Sequence, residues 1–156
     1  MTKDEFYMGK ALAQADIAAA VGEIPIGAVI VYEKKVIARA YNLRETLPCA
    51  TAHAELLAIE KACRTLGRWR LTGCSLYVTV EPCPMCAGAI VNSRLDRLVY
   101  GCDDPKAGAV RSLFHVVDNP SLNHRVEVIS GVRAAECAQR MKDFFRLRRQ
   151  QQAKKQ

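Results

Sequence analysis

The chain of 156 residues has no apolar run long enough to cross a bilayer. The longest, from Ile24 to Tyr32, contains Pro25 and Gly27, whereas a spanning helix needs about 20 apolar residues. There is no leader pattern either: Met1-Thr2-Lys3-Asp4-Glu5 opens into a helix pattern instead of a hydrophobic run. No export is therefore expected, and the location expected is cytoplasmic. The seven cysteines should stay reduced there. Cys49, Cys63, Cys74, Cys102 and Cys137 read as small apolar fillers or near-surface thiols. No internal repeat, linker or low-complexity segment appears before the last few residues, which excludes repeat architectures. A single domain over residues 1–150 is expected, followed by a basic, disordered tail at 151–156.

Acid is scarce at the C-terminal end. From Ala138 to Gln156 seven Lys or Arg face one acid, Asp143, so this segment carries +6 of the net +7. The rest of the chain is nearly neutral. A basic arm of this kind suits a phosphate backbone, or serves only as a solubilising tail. Otherwise the composition is ordinary for a globular domain, with 50% apolar and 25% charged residues.

The pattern predicts alternating helices and strands. Residues 2–20 read as an amphipathic helix with a Thr2/Glu5 capping box and a stop at Gly22. Gly27 to Tyr32 and Val36 to Tyr41 read as a hairpin around Glu33-Lys34-Lys35. Thr51 is a suitable N-cap for a helix that starts at His53 and ends at Gly67. Ser75 to Val80 reads as a strand leading into a helix at about Pro84 to Asn92. A strand at Arg97 to Gly101 follows. Then come a loop, a short helix around Ser112 to Val117, a second loop and a strand at Arg125 to Ser130. A last helix is expected from Ala134 to about Gln150. These elements predict an α/β fold: a three-layer α/β/α sandwich with a mixed sheet of about five strands. After the antiparallel hairpin, the strand–helix–strand units should be parallel.

Two short stretches carry the chemistry. His53-Ala54-Glu55 and Pro82-Cys83-Pro84-Met85-Cys86 together offer one imidazole, two thiols and one carboxylate. Pro84 suits the first turn of a helix, and residues i and i+3 share a helix face, so Cys83 and Cys86 can point to one spot. Both stretches start helices, whose N-termini favour the thiolate form. Three such ligands form a zinc site with an open position, as catalytic zinc requires. Glu55 would stand beside the metal as proton carrier. Two other readings stay open here. One is a closed site with Cys49, Cys74 or Cys102 as fourth ligand, which gives Glu55 no use. The other is a Cys83–Cys86 disulfide or redox pair, which explains neither His53 nor Glu55.

The pattern His-x-Glu followed by Pro-Cys-x-x-Cys resembles that of the zinc nucleobase deaminases. Over nearly its whole length the chain resembles bacterial tRNA-specific adenosine deaminases. The matching pieces include Gly22 to Ala28, Ala40-Tyr41-Asn42, Thr51 to Glu55, Leu76 to Thr79, Glu81 to Gly88, Asp104-Pro105-Lys106, Asn123-His124-Arg125 and Phe144 to Arg149. The resemblance implies a cytidine-deaminase-like sandwich, a homodimer, and conversion of adenosine to inosine at the tRNA wobble position. It implies one Zn2+ per subunit on His53, Cys83 and Cys86, with Glu55 moving protons. It further implies base contacts from Asn42, the Ala54 amide and Ile26. Contacts with flanking nucleotides would come from Asp104 and Lys106, and RNA contacts from Phe145, Arg148 and Arg149. The chain departs from the pattern at Arg111, where Gly is expected before Ser112. Two alternatives remain: a deaminase of a free base or nucleoside (guanine, cytosine or cytidine), and a non-catalytic zinc-stabilised RNA-binding module. His124 reads as a local hydrogen-bonding loop residue and not a metal ligand, and His115 as structural or exposed.

Overall fold

A computed structural model describes residues 1–155. In chain order its elements are α1 (Lys3–Ala20), β1 (Gly27–Tyr32), β2 (Lys35–Tyr41), α2 (Ala54–Leu66), β3 (Cys74–Val80), α3 (Pro84–Asn92), β4 (Arg97–Cys102), β5 (Glu127–Ile129) and α4 (Ala134–Lys154). The five strands form one sheet in the order β2-β1-β3-β4-β5. β1 is antiparallel to both β2 and β3, and β3, β4 and β5 run parallel.

Strand alternation sorts the side chains into two cores. Ala28, Ile30, Leu76, Val78, Leu98 and Tyr100 pack with Ala54, Ala58 and Ala62 of α2 and with Ala87, Ile90 and Val91 of α3. Val29, Val31, Tyr77 and Val99 pack on the other face with Tyr7, Met8, Ala11 and Leu12 of α1 and Cys137 of α4. The result is the expected α/β/α sandwich with a mixed five-stranded sheet.

Helix α1 is fixed at its start by the Thr2/Glu5 capping box. Asp4 then reaches across to Arg97, with two contacts of 2.7 Å, and accepts from the Tyr77 hydroxyl at 2.7 Å. The Arg97 guanidinium holds the Asp4 carboxyl below its ordinary value. Further along, Gly27 lets α1 lie directly on β1. A methyl there would collide with the Ala11 carbonyl and the Ala15 amide.

The structure corrects several boundaries. The hairpin turn is two residues, Glu33 and Lys34, both at positive φ (50 and 64), the conformation that matches the twist of paired strands. Residues 112–117 form turns, with no helix. The last strand shrinks from 125–130 to Glu127–Ile129, because Val126 donates to Val117 of the preceding loop and not to β4. Helix α2 is capped by His53, not Thr51. The tail expected from residue 151 is instead helical to Lys154, since Gln and Ala there offer no stop signal; Gln156 lies outside the described residues.

Candidate active site

The two motif stretches meet because each ends at a helix start on the same side of the sheet. His53 is the N-cap of α2, Cys83 is the N-cap of α3, Pro84 is in the first turn of α3, and Cys86 is one turn in. The His53 Nδ1 lies 3.7 Å from Cys83 Sγ and 3.5 Å from Cys86 Sγ. The three ligand atoms all lie within 4.8 Å of one another. A tetrahedral zinc, with bonds of about 2.3 Å to sulfur and about 2.0 Å to nitrogen, would hold S and N about 3.5 Å apart. The donor set and the spacing therefore fit that ion. Among the described residues no fourth ligand joins the cluster, and Cys49, Cys74 and Cys102 stand outside it; none of the seven cysteines is in a disulfide.

The electrostatics follow from this crowding. Cys83 is pulled down to about 4, chiefly because the Cys86 thiol donates to it, with His53 adding to the effect. Cys86 is driven up by the same contact and by burial. The proximity of Cys83 raises His53. Glu55, 4% exposed, is pushed up to about 7 by burial.

A cavity of about 350 Å³ opens beside the cluster, within the range of about 300–1,000 Å³ common for small-molecule sites. His53, Ala54, Glu55 and Cys83 line it, and so do Ile26, Asn42, Asp104, Lys106 and Phe145. Arg148 and Arg149 do not; both are exposed further along α4, and Arg148 lies over the Phe144 ring. Phe144 faces a second cavity between α1 and α4. His124 bonds the Leu95 carbonyl at 2.7 Å, and His115 is exposed. Arg111 is not at positive φ, so the expected Gly is not required there; its side chain pairs with Asp118 at 3.1 Å.

Ile24, Arg44, Val80, Glu81, Ala107 and Met141 also line the cavity, and sequence reasoning did not single them out. Met141 joins Phe145 on one face of α4, four residues apart, a helical spacing that could have drawn attention to it. Two buried acids stand behind the loops at the rim. Glu23 accepts from the amides of Glu45 and Thr46 at 3.2 and 2.6 Å. Glu81 accepts from those of Asp104, Val110, Arg111 and Ser112. Burial pushes the Glu81 carboxyl up, but the hydrogen bonds outweigh it and bring it down to about 2.

A mixed α/β/α sandwich with an imidazole and two thiols at paired helix starts, beside a buried glutamate, defines the deaminase superfamily; the model of the MafB19-like deaminases matches residues 2–149. More narrowly, the chain belongs to the family of tRNA-specific adenosine deaminases. It is 51% identical to the tRNA-specific adenosine deaminase of Bacillus subtilis (strain 168), over 98% of this chain and 96% of that one. A solved structure from a study of A-to-I editing by tRNA:A34 deaminases at the wobble position superposes with a TM-score of 0.83. It is 46% identical, over 86% of this chain and 98% of that one. The guanine deaminase of Bacillus subtilis is more distant, at 34% identity and a TM-score of 0.64, over 81% and 83%.

Proposed function

We propose that this protein deaminates adenosine to inosine at the wobble position of a tRNA anticodon, with water as the second substrate and ammonia as the second product. The observation that carries this reading is the three-ligand cluster with a buried carboxylate beside it, opening into a cavity large enough for a base. His53, Cys83 and Cys86 would hold one zinc ion, whose chemistry when bound would be to supply a water of pKa about 7, and so a nucleophile at neutral pH. Glu55 takes one proton of the attacking water and delivers it to the ring nitrogen next to C6; it then carries the proton of the new C6 hydroxyl to the amino group, which leaves as ammonia as the C6 carbonyl forms. The burial of Glu55 keeps bulk water from competing for that proton.

The target base must leave its stack, and a single-stranded loop makes this inexpensive. The Ala54 amide, Asn42 and Ile26 hold the base. The Oδ1 of Asn42 accepts from the Arg44 amide at 3.2 Å, which fixes the side chain and leaves Nδ2 to the base. Asp104 and Lys106 meet the flanking nucleotides, and Phe145, Arg148 and Arg149 supply stacking and phosphate contacts. The basic α4 supports an RNA substrate over a free base, which has no use for such charge. The enzyme acts as a homodimer in the cytoplasm, where tRNA is found; exposed Met85, Leu113 and Phe114 provide apolar surface for self-association.

The test offers purified protein an anticodon stem-loop with A at the wobble position, alongside free adenosine, cytidine and guanine. Ammonia and inosine are expected from the stem-loop. Ammonia from the free compounds alone would assign the chain to free-base chemistry.

A further inference from the structure

The segment from Asp103 to Ser112 has no regular secondary structure, yet it brings Asp104 and Lys106 to the rim of the cavity. Its shape is set from outside by one side chain. Glu81, one residue past β3 and two before Cys83, is 3% exposed. Its Oε1 accepts from the Asp104 amide at 3.0 Å and from the Ser112 hydroxyl. Its Oε2 accepts from the amides of Val110, Arg111 and Ser112 at 3.1, 2.8 and 2.9 Å. Both ends of the loop are thus tied to one carboxylate. In between, Gly108 passes so close that a methyl would overlap the carboxyl group. A buried charge is tolerated only when fully hydrogen-bonded, and here the loop's own donors meet that need.

We infer that Glu81 is a positioning residue: it holds the 103–112 loop in the form that presents Asp104 and Lys106 to the nucleotides beside the target base. It thereby governs substrate binding and leaves the chemical step alone. This rests on the tRNA reading given above. The competing role is support of the cysteine turn, because the Glu81 side chain and Cys83 are only two residues apart.

The experiment compares the wild-type full-length protein with Glu81→Gln, Ser112→Ala, Lys106→Ala and the Glu81→Gln/Lys106→Ala double variant, using the wobble-A stem-loop. Gln keeps the shape but sets an NH2 against amide donors. Glu81→Gln is expected to raise KM about tenfold, with kcat within about twofold. Ser112→Ala should move KM the same way by a smaller factor. Lys106→Ala should raise KM in the wild type and add little to Glu81→Gln, since residues acting through one another are non-additive. Amide exchange at Val110, Arg111 and Ser112 should accelerate in Glu81→Gln, while exchange at Ala87 in α3 stays slow. A fall in kcat and bound zinc at unchanged KM would assign Glu81 to the cysteine turn and overturn the inference. Effects of Glu81→Gln and Lys106→Ala that multiply, or unchanged loop exchange, would overturn it too. If Glu81→Gln does not fold, Ser112→Ala decides by the same split and the same amides. Failure of the wild type on the stem-loop would sink the tRNA reading, and the exchange arm would still judge the loop.

Discussion

Glu55 and Glu81 are both buried, and their surroundings push them in opposite directions. Glu55 lies where burial dominates and is raised to about 7, while Glu81 is ringed by amides and falls to about 2. The first is suited to exchange a proton; the second is a fixed charge. Glu55→Ala is therefore expected to lower turnover by about 10²–10⁴-fold while zinc content and stem-loop binding persist. A variant that keeps normal turnover would remove Glu55 from the mechanism. Asp4 gives the clearest dependence on pH. Its folded pKa lies below the ordinary 3.8, so its contribution is fully present above that value and is lost as pH falls through the folded pKa. Asp4→Asn should cost about 1–3 kcal/mol at neutral pH. The gap from wild type should close below pH about 4 in urea melts at stepped pH; a constant gap would refute the ion pair's role. At this scale the sequence was partly legible. His53, Glu55, Cys83 and Cys86 announce themselves by spacing and helix starts. Glu81 does not, because a carboxylate that collects amides 23 to 31 residues away leaves no local pattern.

Among the elements, α3 was readable to the residue, since Pro84 marks its first turn and the apolar run after it has nowhere else to go. The helix expected at 112–117 fails for a physical reason. The Leu113 amide donates to the Gly108 carbonyl and the Val116 amide to that of Ala109, five and seven residues back, so the four-residue helical ladder is not formed. The contact between α1 and β1 depends on Gly27 lacking a side chain. Gly27→Ala should lower stability by roughly 1–3 kcal/mol, visible as a drop in Tm with the zinc cluster still loaded. An unchanged Tm would mean that α1 can shift at no cost. The hairpin was legible but its turn was read one residue too long, because neither Glu33 nor Lys34 is a residue type that favours the positive φ of a two-residue turn.

The whole molecule divides into a nearly neutral sandwich and a basic α4, which also supplies Met141 and Phe145 to the cavity wall. That the last helix does both was only half visible in the sequence: the charge could be counted, but Met141 needed the fold. Replacing Arg148 and Arg149 with Ala should weaken stem-loop binding and flatten its salt dependence by about 0.7 in log–log slope for each lost phosphate contact. An unaltered slope would show that these arginines do not touch the backbone. The lopsided distribution of charge has a further result. Such a body is a dipole, and a polyanion exerts a torque on it before any surface meets. Collisions with RNA would begin already aimed, so the rate of encounter should fall steeply with added salt while the speed of conversion in the formed complex hardly moves.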